Sequence, residues 1–370
     1  MSVRKNFSHI IILCLFVLSL NIGNGQTLTR ETNFTEHKWT PFYNLKKARN
    51  TIIFQGNKEK KNYFEGWYFK MVSSNGESIL SVIPGISLSE DGKIQHAFIQ
   101  LINGVTATTK YYSFPIEDFY YSKKDFAIRI GQNYFSKNGL VLNIQQGDTA
   151  ITGYVTMKNL TNYSSGNFVG NSIMGWYRFV PFMECYHGVA SLTHQLNGQI
   201  KIGDQLHEFN NGKGYIEKDW GSSMPSSWIW IQTNHFSKAN NSLMLSIATV
   251  PFLGKSFNGF LGFFYHNGKT HRFATYENTK LNLKLITENS VEIKIENRKY
   301  SYIIEAKRHS MGLLKAPVSG TMSRRIPESI DATIKLTLLD KKGNSIYLDS
   351  TSIAGLEMVG NVNQLVGDLK

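Results

Sequence analysis

The chain lacks the means to build a disulfide framework. It holds two cysteines in 370 residues. Cys14 lies in an N-terminal stretch that reads as removable, so Cys185 is left without an intramolecular partner. Stability must then come from a packed core, for which the length and an apolar content of 41% suffice. Long hydrophobic runs are scarce too. The one candidate, Ile10 to Leu20, follows Arg4 and Lys5 and precedes Gly23-x-Gly25. This order predicts a secretory signal peptide, residues 1–25, cut near Gly25, with the mature protein soluble outside the cytosol. A retained anchor is the alternative, disfavoured by the short run. Continuous basic runs are also missing. The net charge of +13, or +11 without Arg4 and Lys5, is spread thinly, the densest group being Lys58-Glu-Lys-Lys61. Scattered charge describes a solvated surface first and weak peripheral attraction to anionic membrane second, and gives no footprint for nucleic acid.

Several chemistries lack their signatures. No Walker loop, His-Glu-x-x-His or Gly-x-Ser-x-Gly occurs. Gly212-Lys-Gly214 precedes no helical pattern, and the histidines are dispersed. No nucleotide cofactor and no metal is expected. Helical periodicity over about twelve residues is absent as well; residues 41–50 alone suggest a short helix.

What remains is strand. Segments rich in Ile, Val, Phe, Tyr and Thr alternate with tight-turn pairs such as Asn75-Gly76, Asp91-Gly92, Asn197-Gly198 and Asn267-Gly268. Val291 to Glu296 alternates with period two, as a half-exposed strand does. Aromatics reach 13%, which suits strands and also suits a large apolar site. An internal similarity joins two regions. Residues 63–102 and 227–268 each carry an aromatic strand, a strand ending in Ile-Pro or Val-Pro, and a Phe-bearing strand. Trp67 matches Trp230 at an offset of 163, and Pro84 matches Pro251 at 167. The expected fold is mainly β. After an N-terminal extension at 26–60, two antiparallel barrel or sandwich domains cover 61–222 and 223–370 and pack together. Sequons stand at Asn33, Asn159, Asn162 and Asn240, although an Asn-rich chain produces such matches by chance.

Three acidic places stand among aromatic rings. Glu65 shares a strand face with Tyr63, Trp67 and Phe69, where desolvation should raise its pKa and make it a general acid; an exposed or Lys-paired edge residue is the plainer alternative. Glu217 and Asp219 share one face of an extended 215–220, with Lys218 opposite. Two close carboxylates would leave one protonated, unless they only bind backbone in a turn. Trp220, Trp228 and Trp230 around them suggest an enclosed site. His187 sits on an apolar face with Met183 and Cys185, as a satisfied core imidazole or a titrating one. Gln232 and Asn234 place neutral donors on the Trp228/Trp230 face.

At these residues the sequence resembles the tocopherol cyclase family. The carriers are YFEGWYFK (63–70), WYRFVPFMECYH (176–187) and, above all, GYIEKDWG (214–221) with Pro225 and WIWIQTN (228–234). The resemblance spans most of 60–360 and is nearest to bacterial-type members. It implies paired lipocalin-like domains and an acid-catalysed isomerisation with neither redox cofactor nor metal. In that reaction a prenylated hydroquinone closes to a chromanol: an alkene is protonated and the phenol oxygen captures the cation. It further implies an apolar prenylated small molecule as ligand. Glu217 or Asp219 would be the acid, with Glu65 next. Trp67, Trp228 and Trp230 would shield the cation, and Gln232, Asn234 and His187 would hold the head group. The secretory leader departs from the plastid setting of the plant enzymes. A secreted carrier that binds such a lipid without turnover is the alternative reading, and a β protein with a filled interior is a third.

Overall fold

Residues whose side chains alternate between core and water form strands, and here they do so almost without interruption. In Ser290–Glu296 the apolar Val291, Ile293 and Ile295 are buried while Lys294 is exposed. By contrast Trp228–Thr233 is buried along its whole length, because both of its faces meet protein. The structure, a computed structural model, describes residues 43, 46, 47, 50–147, 149–164, 172–181, 183–252 and 255–369. The signal-peptide expectation, most of the extension and the sequon at Asn33 lie outside them. Tyr43, Lys46 and Lys47 are helical.

In chain order the first sheet contains β1 (Tyr63–Val72), β2 (Ile79–Leu88), β3 (Gln95–Asn103), β4 (Thr109–Pro115), β5 (Phe119–Tyr121), β6 (Ala127–Ile130), β7 (Asn133–Ser136), β8 (Gly139–Ile144), β9 (Ile151–Thr161), β10 (Cys185–Ile202), β11 (Gln205–Glu208) and β12 (Gly212–Gly221). The second contains β13 (Trp228–Thr233), β14 (Ser242–Phe252), β15 (Lys255–His266), β16 (Lys269–Ala274), β17 (Lys280–Thr287), β18 (Ser290–Glu296), β19 (Tyr300–Lys307), β20 (Gly312–Val318), β21 (Thr321–Asp340), β22 (Ser345–Val359) and β23 (Gly367–Leu369). The first runs β4-β3-β2-β1-β12-β10-β9-β8-β7-β6-β5, with β11 beside β10. The second runs β16-β15-β14-β13-β22-β21-β19-β18-β17-β23, with β20 beside β21. Every pairing is antiparallel. Each sheet curls until its ends approach, β3 meeting β6 in the first and β15 meeting β23 in the second.

Both sheets follow one plan. A four-strand meander leads off, and its first strand pairs with the last long strand of the same sheet: β1 with β12, β13 with β22. The matched tryptophans, however, are not equivalent. Trp67 packs inside the first barrel, whereas Trp230 faces the seam between the sheets. The seam-facing counterpart on β1 is Tyr68, whose ring lies edge-on to Trp230 with centroids 5.5 Å apart. A shift of one residue reverses every side chain on a strand.

Three apolar cores result. One fills the first barrel, around Trp67, Phe69, Phe135 and Ile216. One fills the second, around Phe264, Ile293, Tyr302 and Leu336. The third lies between the sheets, around Tyr215, Trp228, Met244, Phe263 and Ile330. The central strands β1, β12 and β13 and the Ala354–Val359 end of β22 therefore have no water-facing side, and the seam is where the polar residues they carry become consequential.

Candidate active site

The pleat of β12 divides the charged motif between two environments. Ile216, Lys218 and Trp220 point into the first barrel, while Tyr215, Glu217 and Asp219 point to the seam. On the barrel side Lys218 is fully buried. Its Nζ lies 2.5 Å from Glu65 and donates to the carbonyls of Thr51 and Ile53 at 2.8 and 2.6 Å. Rings of Trp67 and Trp220 flank it at 4.9 and 4.7 Å. Burial pulls its pKa down to about 8, against the pull of Glu65.

This environment corrects the expectation for Glu65. The residue is buried among rings, but its carboxylate also accepts the backbone N–H groups of Gln55 and Gly56 at 2.9–3.0 Å and the Tyr63 hydroxyl. It is a closed knot that anchors residues 51–56 inside the barrel. It does not line the seam cavity. Trp67 is likewise structural: its Nε1 donates to Ile52 at 2.8 Å. Trp220 stacks on Tyr186, at 9° and 5.5 Å, away from the cavity.

On the seam side, β10 and β12 pair so that His187 stands opposite Asp219. His187 Nδ1 is 2.7 Å from Asp219 Oδ1, and Nε2 is 3.5 Å from Glu217 Oε2. The first is a hydrogen bond and the second an ion-pair distance. Glu217 also accepts from the Tyr215 hydroxyl at 2.7 Å. Burial by itself would push His187 down, but Asp219 and Glu217 together raise it, to about 10. The imidazole is thus a cation held between two carboxylates. One ligand atom from each of the three lies within 4.8 Å of the others. The three could hold a metal ion, for which His187 would have to be neutral.

Between the sheets lies a partly open, mainly apolar cavity of about 210 Å³. His187, Glu217, Asp219, Trp228 and Trp230 line it. Gln232 and Asn234 face the seam but lie beyond the cavity wall. Gln232 Oε1 accepts from the buried Lys70 at 3.2 Å, and Asn234 Nδ2 donates to the Gly214 carbonyl at 2.8 Å.

Across the cavity stand two acids that sequence reasoning missed. Glu328 on β21 and Glu357 on β22 are cross-strand partners, and both line the cavity. Glu328 accepts from the Tyr68 hydroxyl at 2.6 Å, and Tyr68 accepts from Ser81 at 2.9 Å. Glu357 accepts from the Trp228 indole N–H. Burial raises Glu328 to about 7, with Tyr68 and Lys70 opposing. Burial and then the neighbouring Glu328 raise Glu357 well above the carboxylate range. The sequence held one signal, a single carboxyl inside the apolar run Ile353-Ala-Gly-Leu-Glu-Met-Val359. Alternation makes such a residue look solvent-facing unless the second face is known to be covered. Gly355 opens space here, since a Cβ at that position would overlap the Trp230 ring.

The arrangement places two acids raised by burial on one wall and the Glu217–His187–Asp219 cluster on the other, with tryptophans between. Known proteins agree with the architecture. The chain is 26% identical over 201 residues to a probable chloroplastic tocopherol cyclase of Oryza sativa subsp. japonica, covering 51% of this chain and 42% of that protein. It is 27% identical over 201 residues to the chloroplastic tocopherol cyclase of Zea mays, with the same coverages. The match thus spans less than half the length of these relatives. Among solved structures, that of CghA superposes with a TM-score of 0.50 at 8% identity, over 81% of this chain and 89% of that one; this likeness concerns the fold alone and accords with a lipocalin-like pair of β domains. The tocopherol cyclase-like family profile matches residues 133–360, more than half of the chain, and includes β10, β12, β21 and β22 with His187, Glu217, Asp219, Glu328 and Glu357. The chain belongs to the tocopherol cyclase-like family.

Proposed function

We propose that the seam cavity closes a prenylated hydroquinone to a chromanol by proton transfer. The observation that carries this reading is the pair Glu328 and Glu357, raised by burial in an apolar cavity that faces the His187 cluster. Glu357 is the acid. Its Oε2 accepts from Trp228, which leaves Oε1 to carry the proton. Transfer of that proton to a trisubstituted alkene breaks the C=C π bond, forms a C–H bond and leaves a tertiary cation. Faces of Trp228, Trp230 and Tyr68 stabilise the charge and keep water away. The phenol oxygen then bonds to the cationic carbon, and its proton passes to Glu217, whose carboxylate Tyr215 and His187 hold in place. Return of one proton to Glu357 completes the cycle. Nothing is oxidised, and substrate and product have equal mass.

Glu217 and Asp219 thereby move from acid to acceptor, because each is already receiving hydrogen bonds or facing a cation. A carrier of the same lipid has no need of two raised acids beside an ion-paired imidazole. The test is to incubate the full chain with a geranylgeranyl- or phytyl-substituted hydroquinone and follow the chroman by mass spectrometry and ultraviolet absorption. Conversion by the unaltered protein that is lost in Glu357→Gln is expected. Binding without conversion, or conversion that survives in the Glu328→Gln/Glu357→Gln double variant, overturns the assignment.

A further inference from the structure

The motif WYRF (176–179) takes no part in this chemistry. Gly175–Phe179 forms a short helical turn on which Trp176 is 51% exposed and Phe179 is 55% exposed. Two large aromatics exposed on one short turn, Trp176 stacked on Tyr177 with centroids 4.2 Å apart, are an unfavourable arrangement for an ordinary surface. Between them, Tyr177 turns inward and lines an apolar annex that shares Met174, Met183 and Leu261 with the main cavity. Arg178 lies over the Phe179 ring at 4.4 Å, and its Nε and Nη1 have no hydrogen-bond partner among the described residues. Arg178 also lines a neighbouring groove with Lys47, Lys60 and Lys61, in which no carboxylate takes part and to which Met183 again belongs. The turn thus combines outward aromatics, a cationic groove and an inward face on the apolar cavity.

We propose that this turn is the membrane-docking surface of the protein, and that its partner is an anionic lipid bilayer. Trp176 and Phe179 would seat at the headgroup level, where amphipathic and apolar rings are favoured. Arg178 and the three lysines would meet lipid phosphates, as a chain of net charge +13 permits. Charge complementarity selects the anionic bilayer over a protein partner, and the annex beneath Tyr177 gives an apolar lipid a route from the bilayer to the acids. That last step rests on the proposed chemistry; the docking itself does not.

The test uses the full chain with vesicles of equal parts phosphatidylcholine and phosphatidylglycerol carrying brominated acyl chains, which quench tryptophans at the bilayer. Trp67, Trp220, Trp228 and Trp230 are buried and Trp39 is common to both proteins, so the difference between the unaltered protein and Trp176→Phe isolates the turn, whatever the N-terminal apolar run and Trp39 contribute. Quenching that is lost in Trp176→Phe, and reduced both in Arg178→Gln and on phosphatidylcholine alone, is expected. Equal quenching of the unaltered protein and Trp176→Phe overturns the proposal, as does quenching that is indifferent to phosphatidylglycerol. Turnover of detergent-dispersed hydroquinone should be unchanged in Trp176→Phe, so failure of docking and failure of the cyclisation reading are read separately.

Discussion

Glu357 and Glu65 are both buried carboxyls on central strands, yet their surroundings give them opposite characters. Glu65 receives an ammonium, a hydroxyl and two backbone N–H groups. Glu357 receives one indole N–H and faces another acid. A fully solvated ion can be matched by the first set and not by the second. Glu357→Gln should therefore lower turnover by about 10²–10⁴-fold, the usual span for loss of a general acid. Its thermal midpoint should hold, since the amide oxygen still accepts from Trp228. Turnover and melting measured on the same preparation check this. Gly355→Val should act differently: its side chain overlaps the Trp230 ring, pushes the indole into the cavity and raises KM more than it lowers kcat.

At the scale of elements, β12 does two jobs because a strand has two faces. Lys218 holds β12 to the segment 51–56 and to β1 through Glu65, while Tyr215, Glu217 and Asp219 furnish the cavity wall. Removing one partner of a buried ion pair leaves the other uncompensated, at a cost of about 3–5 kcal/mol. Lys218→Met is expected to lose that much in denaturant unfolding, and Lys218→Met/Glu65→Gln should recover part of it. An additive double variant would mean that the two groups are not coupled. The short motif was legible as important, but which half of it serves stability depends on which barrel each face meets.

For the whole molecule, the cavity sets the pH response. Glu328 is raised in the folded state, so the folded protein holds more protons than the unfolded chain between the ordinary carboxylate pKa of about 4.5 and about 7. Its contribution to stability therefore falls as pH rises through that window. His187 is also raised, to about 10. Its contribution is complete below an unfolded pKa of about 6.5 and is lost as pH rises through about 10. Thermal melts of Glu328→Gln against the unaltered protein should diverge between about pH 5 and 7, the variant being the flatter. If the acids serve catalysis, kcat/KM should hold as pH rises through about 7, because an ionised Glu328 repels charge on Glu357 and keeps its proton in place, and should fall only above that range. A rate that instead climbs across that range would exclude a protonated acid on that wall.

The sequence by itself determined the β class and the duplicated plan, since alternation and Asn-Gly or Asp-Gly turns are local physics. It also determined the family, through the long motif at 214–234, and singled out Glu217, Asp219, His187, Trp228 and Trp230, which the fold brings to one cavity. Only the tertiary structure decided how each buried carboxyl is surrounded. Glu65 and Glu357 each sit in an apolar strand, and nothing local distinguishes them. Lys218 reaches Glu65 from a strand some 150 residues away in sequence, whereas Glu357 is met by its cross-strand neighbour Glu328 and by burial. The contrast follows from those neighbours, because desolvation and opposing charge are properties of the assembled space around a group rather than of its strand.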